Sequence, residues 1–211
     1  MIPDKTMIRI ASRSQAKQGK GQDRIKVSRI DSSTVAAVLA DGEDEAAVVS
    51  GGARAAELVV EKLSQELPAD YASLFDSILD LDRRLQVDSQ AGLTTVVAVY
   101  AVGAEFFGAV IGDSDALLIT NGEIRNLGAE KEVEPLLGDG EAFPTMFSGS
   151  LTNSVLLLCS DGLSKYIQLS DVLDICSRLD DPSSIADGLL GSVELLGTEL
   201  QDDVSIVVMR S

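Results

Sequence analysis

Three short apolar runs set the terms on which this chain of 211 residues can fold. Thr34–Ala40 (TVAAVLA) stops at Asp41-Gly42, Ser154–Ser160 (SVLLLCS) stops at Asp161-Gly162, and Val204–Met209 follows Asp202-Asp203. Unbroken apolar runs of this length, closed by turn signals, read as buried strands. Each of the three carries a carboxylate at its boundary. A single Asp-Gly after a strand is an ordinary turn. Three on separate core strands mean more, because packed sheets bring strand ends together and clustered carboxylates repel unless cations neutralise them.

The rest of the chain supplies the layers around those strands. Met7–Ser12 and Arg24–Ile30 read as strands flanking a polar loop, Arg13–Asp23. Ser50-Gly51-Gly52 opens an amphipathic helix that ends near Leu67-Pro68, and a second follows over Asp70–Asp88 with Leu74, Ile78, Leu81 and Leu85 at helical spacing. Strands are expected at Leu93–Ala101, Glu105–Ile111, Ala116–Thr120 and Glu123–Leu127, with Asn121-Gly122 as a strong hairpin signal. The apolar stretch Leu93–Ile111 is broken by Glu105 and fits a hairpin turning near Gly103 better than a membrane span. Ala129–Asn153 reads as a polar connection, and two helices are expected near Ser170–Leu179 and Pro182–Leu196. Central strands with paired helices between them point to an α+β class with antiparallel sheets.

Composition narrows the chemistry. The chain is 45% hydrophobic and 24% charged, which is a globular balance, and it has no histidine. Serine–histidine and cysteine–histidine nucleophiles are therefore excluded, as are histidine-built zinc sites. Hydrolytic chemistry has to rest on carboxylates, which select hard cations such as Mg2+ or Mn2+. A net charge of −17 argues against nucleic acid as a partner. That charge is uneven: residues 1–30 hold eight basic against two acidic residues, a net of +6, and the remainder carries −23. The imbalance either aids solubility or brings an anionic substrate to an acidic body. Asp4 and Lys5 stand where a signal peptide needs apolar residues, and Cys159 and Cys176 fall in core elements, so a cytoplasmic location is expected with no membrane contact.

Six segments, in order, carry a family resemblance. They are Gly21-Gln22-Asp23-Arg24, Ala40-Asp41-Gly42, Gly92-Leu93-Thr94-Thr95-Val96-Val97, Gly112-Asp113-Ser114-Asp115-Ala116, Leu158-Cys159-Ser160-Asp161-Gly162-Leu163 and Asp202-Asp203-Val204-Ser205-Ile206-Val207-Val208. Each is weak alone; in this order they resemble the metal-dependent type 2C protein serine/threonine phosphatases over nearly the whole chain. The resemblance implies one phosphatase-like domain over 1–211, with two packed antiparallel β-sheets flanked by helix pairs in a four-layer αββα sandwich. It implies Mn2+ or Mg2+ as cofactor, two ions with a weaker third. Asp41 would bridge two metals, the Gly42 carbonyl would bind one, and Asp161 and Asp202 would hold the other. Asp23 would act mainly through bound water, and Asp113 with Asp161 would hold the third ion. The implied reaction is hydrolysis of phosphoserine and phosphothreonine by a metal-bridging hydroxide. The implied partners are a phosphorylated protein substrate and, as a further candidate, a Ser/Thr kinase.

The chain also departs from the family pattern. Gln18 stands where a phosphate-binding arginine is expected, leaving Lys17, Lys20 and Arg13 as candidates for that role. Glu43-Asp44-Glu45 replaces a glycine-rich continuation with histidine, Asp115 replaces an arginine, and Gln22 replaces a frequent glutamate. Thr94 and Thr95 read as strand residues, and Asp203 as solvated surface. Two other readings stay open at this point. One is a catalytically weak or silent module of the same fold that binds phosphoproteins in signalling. The other is a structural Ca2+ site, which would draw its ligands from one local loop rather than from distant strand ends.

Overall fold

The computed structural model describes residues 7–17, 21–44, 51–129, 131, 133–194 and 200–211. Runs that are apolar at nearly every position have no face to turn to water, so they become inner strands covered on both sides. β3 (Thr34–Ala40), β6 (Val96–Val102), β11 (Ser154–Cys159) and β12 (Val204–Arg210) are such strands. One sheet runs β10 (Thr145–Ser150), β7 (Glu105–Ile111), β6, β3, β2 (Arg24–Arg29). The other runs β1 (Arg9–Gln15), β12, β11, β8 (Asp115–Thr120), β9 (Glu123–Asn126). Neighbours in both sheets are antiparallel. A two-residue pair, β4 (Gly42–Glu43) with β5 (Leu93–Thr94), extends the first sheet's end.

Three apolar layers hold the sandwich together. Val35, Val97, Phe106, Leu156, Leu158 and Val207 fill the space between the sheets. The outer face of the first sheet packs on α1 (Gly51–Gln65) and α2 (Tyr71–Val87) through residues such as Ala36, Tyr100, Val59 and Ile78. The outer face of the second packs on α4 (Leu169–Arg178) and α5 (Pro182–Glu194) through Leu157, Ile206, Val172 and Leu189. This is the expected four-layer arrangement. Local chemistry sets the boundaries. Asp70 caps α2, its Oδ1 accepting the Ser73 N–H at 2.9 Å while Ser73 Oγ accepts the Asp70 N–H at 3.1 Å. Asn121 and Gly122 turn the β8–β9 hairpin with φ of 53° and 80°. The Tyr100 hydroxyl crosses to the Leu63 carbonyl at 2.6 Å and ties α1 to the sheet.

Three elements differ from the sequence reading. β10 lies inside the segment read as a connection. The expected strand Leu93–Ala101 is broken at Thr95 into β5 and β6. A short helix, α3 (Asp161–Ser164), begins at the aspartate that was read as a turn. Four of the eight basic N-terminal residues are committed elsewhere: Arg24 to Glu57, Lys26 to Glu61, Arg9 to Asp180 and Arg13 to Asp187. They fasten the outer strands to the helices.

Candidate active site

Strand register collects the aspartates at one end of the sandwich. Arg24 pairs with Ala40, so Asp23 and Asp41 stand just beyond the last rung of β2 and β3. Val96 pairs with Ile111, which sets Gly112 and Asp113 beside Thr95. Cys159 pairs with Ile206, and the Ser160 N–H continues that ladder to the Ser205 carbonyl at 3.1 Å, bringing Asp161 next to Asp202 and Asp203. Both sheets therefore contribute. Asp41, Asp113, Asp161 and Asp202, with Gly42 and Thr95, line a cavity of 330 Å³. A second cavity of 520 Å³ shares Asp41, Gly42 and Asp202 and reaches Lys17, Gln22 and Asp203. A larger groove of 600 Å³ lies along β1 and holds none of these aspartates, so size does not locate the chemistry.

The backbone of Asp41 is clamped. Its carbonyl accepts the Thr95 N–H at 2.8 Å and the Thr94 hydroxyl at 2.9 Å, and its N–H donates to Thr95 Oγ1 at 3.1 Å. Thr95 Oγ1 also bonds Ser114 Oγ at 2.7 Å within the core. Gly42, Gly52 and Gly92 meet backbone to backbone: a Cβ on Gly42 would stand 2.3 Å from the Gly52 carbonyl oxygen, and one on Gly92 would stand 2.7 Å from the Gly52 nitrogen. Any side chain there would push α1 off the turn. Gly162 does the same for α3, since its Cβ would lie 2.0 Å from the Asp203 carbonyl oxygen.

Electrostatically the cluster is unbalanced. Burial, and after it the charges of Asp23, Asp161 and Asp202, pushes the Asp41 carboxyl up to about 10. Burial likewise raises Asp23, which is 7% exposed. Both carboxylate oxygens of Asp23, Oδ1 of Asp161 and Oε1 of Gln22 are buried without donors at hydrogen-bonding distance. Ser160 and Ser205, the hydroxyls beside Asp23, are engaged with the Asp203 carbonyl and with Ser14 Oγ. Buried carboxylate oxygens without donors are costly as anions, and a hard divalent cation relieves that cost as effectively as a proton does. The donor set therefore fits such an ion. Among the described residues no three carboxylates already surround one point at ligating distance.

Of the other sequence candidates, Lys17 reaches the second cavity, whereas Arg13 does not reach either one. The Arg13 guanidinium donates to both oxygens of Asp187, at 2.5 and 2.9 Å, and to Ser183 Oγ, at 2.6 Å. It is a strut between β1 and α5. Lys20 and Gln18 lie outside the described residues. Asp203, read as solvated surface, accepts the Lys17 N–H at 2.8 Å and the Gln22 N–H at 2.6 Å, and so holds both ends of the 17–22 loop. Asp115 is paired with Lys131 at 2.7 Å and accepts from Asn126 Nδ2 at 2.9 Å. Sequence reasoning missed Lys165, whose ammonium bridges Asp113 and Asp161. Its spacing of four residues from Asp161 was the available signal, hidden because α3 was read as a turn.

No family model matches the chain. It is 27% identical over 159 residues to probable protein phosphatase 2C 41 of Oryza sativa subsp. japonica, covering 57% of this chain and 55% of the relative. The chain thus spans about half the length of the curated relative it matches. A solved bacterial serine phosphatase variant superposes with a TM-score of 0.83 at 19% identity, covering 96% of this chain and 98% of the other. The catalytic domain of the serine/threonine protein phosphatase PstP, solved with two manganese ions, superposes with a TM-score of 0.75 at 20% identity over 97% and 98% of the two chains. At these identities the structures establish a shared fold. No helix among the described residues is long and apolar enough to cross a membrane.

Proposed function

We propose that this chain, which resembles the type 2C protein phosphatases in its ordered motifs and shares their fold, is a metal-dependent protein serine/threonine phosphatase. The observation that carries the reading is the set of buried, donorless carboxylate oxygens on Asp23 and Asp161 beside Asp41, at the end where both sheets meet. In a chain without histidine, such a set has few other uses.

Asp41 and the Gly42 carbonyl, with Asp161 and Asp202, would hold two Mn2+ or Mg2+ ions, and the burial of Asp23 favours direct rather than water-mediated contact. When bound, such ions supply an acidified water as nucleophile and neutralise charge on the phosphoryl group. The chain's own residues do the positioning. Thr94 and Thr95 fix the Asp41 backbone from both sides, so its carboxylate keeps its place when the charge around it changes. Asp203 pins the loop that carries Lys17, and Lys17 at the cavity wall would meet the phosphate of a phosphoprotein. With Arg13 committed to Asp187 and Lys20 outside the described residues, Lys17 is the phosphate-binding candidate among the three cations the sequence suggested.

Turnover of p-nitrophenyl phosphate and of phosphoserine and phosphothreonine peptides, with Mn2+ and then with EDTA, tests the reading. Activity that appears with Mn2+ or Mg2+ and is lost on chelation supports it. Activity that persists in excess EDTA after dialysis would refute the metal mechanism. Phosphopeptide binding without turnover would establish the silent module instead.

A further inference from the structure

Asp113 and Asp161 are the pair to which the sequence resemblance assigns a third, weaker metal. The structure puts a cation of the chain's own between them. Lys165 closes α3, its N–H donating to the Asp161 carbonyl at 2.9 Å, so its side chain folds back one turn over Asp161. The Lys165 Nζ stands 2.8 Å from Asp113 Oδ2 and 2.6 Å from Asp161 Oδ2. We infer that the Lys165 ammonium is a resident substitute for the third divalent ion, so that this chain operates with two metals and one fixed ammonium. The inference rests on the two-metal reading above and states which cation position the chain fills for itself.

Three observations carry it. The first is steric: a Mg2+-sized ion bound between these carboxylates needs oxygens at about 2.0–2.1 Å, and the space they offer is the space Nζ occupies. A dication can enter only by expelling the ammonium from both oxygens and leaving two cations side by side. The second is the division of labour on Asp161. Its Oδ2 takes Lys165, while its Oδ1 is buried and without a donor. One oxygen is thus committed to the lysine and the other is free for the metal pair shared with Asp41 and Asp202. The third is charge. Asp23, Asp41, Asp113, Asp161 and Asp202 carry five negative charges when ionised and Glu43 lines the same cavity, so two dications leave negative charge that one ammonium reduces without a third dication. Lys165 keeps 54% of its side chain exposed and lines the cavity, so holding it there costs little desolvation and leaves one N–H donor for whatever the cavity binds.

Counting Mn2+ tests the inference without reference to activity. Free Mn2+ is read by electron paramagnetic resonance as the full chain is titrated into the millimolar range. Wild type should bind two ions. Lys165→Met and Lys165→Gln should each bind a third, with a dissociation constant on the order of 1 mM or tighter. Adding Asp113→Asn to either variant should return the count to two, and Lys165→Arg should stay at two. A third ion in wild type overturns the inference, and so does a count of two in both neutral variants with unchanged melting temperature; the two-metal reading survives either result. A wild-type chain that binds no Mn2+ overturns the two-metal reading and this inference with it.

Discussion

Asp41→Asn should make the metal-free protein more stable and at the same time abolish its response to metal. In the folded chain the Asp41 carboxyl sits at about 10 instead of its usual 3.8, because it is buried and faces Asp23, Asp161 and Asp202. An acid raised in this way costs the fold nothing below pH 4 or so. The cost grows as pH rises, because the unfolded chain loses its proton while the folded chain keeps it. At pH 7 a group so displaced costs at most about 4 kcal/mol. Coupling to Asp23 and partial solvent contact reduce this to about 2 kcal/mol. For a chain of this size that corresponds to roughly 4–8 °C in melting temperature. Asparagine keeps the shape and takes up no proton on folding. Melts in EDTA at pH 7.5 should therefore place Asp41→Asn above wild type by about that amount, with the gap closing near pH 4. Mn2+ at a hundredfold excess over its dissociation constant should raise wild type by about 2.7 kcal/mol and the variant by little. A variant that melts below wild type in EDTA, or gains equally from Mn2+, would refute the carboxylate-repulsion argument.

Asp161→Asn and Asp202→Asn should each lower kcat by at least roughly 10²-fold in steady-state assays. Asp203→Ala should instead free the 17–22 loop, costing about 1–3 kcal/mol in chemical denaturation and raising KM more than it lowers kcat. Thr95→Val leaves the Asp41 N–H and the Ser114 hydroxyl without their buried partner, so stability should fall by about 1–3 kcal/mol and kcat should drop while KM holds. Lys17→Ala should raise KM for phosphopeptides at low ionic strength, and kcat should change less than in the metal-ligand variants.

Much of this architecture is legible in the residues. The bounds of β3 and β7 match the reading because TVAAVLA and EFFGAVI are apolar enough to need burial and are closed by turns. β10 escaped because TMFSGS is an edge strand. Only Phe147 in it is buried, and its glycine and serines mimic a loop. The break at Thr95 was invisible because its cause is tertiary: the residue leaves the ladder to bond Asp41 and Ser114. The aspartates of the site could be listed from turn signals and motif order, but not their neighbours. Lys165 belongs to Asp113 only through a contact 52 residues away, and the engagement of Arg13 with Asp187 spans 174. Pairings at such separations are fixed by sheet register and helix docking, and local pattern carries no trace of them.

The pairing of β1 with β12, from Arg9 opposite Arg210 to Gln15 opposite Val204, has a consequence for biosynthesis. β12 is an interior strand lodged between β1 and β11, yet it is translated after both. During synthesis β1 waits for its partner strand, and the second sheet stays open along its middle. Contacts of this sequence separation are slow to close, and an unpaired strand invites pairing with other chains meanwhile. Asp23, Asp41, Asp113 and Asp161 emerge well before Asp202, so a growing chain carries most of the carboxylates but not the strand that draws them together. The carboxylate cluster is then complete only once β12 has seated between β1 and β11.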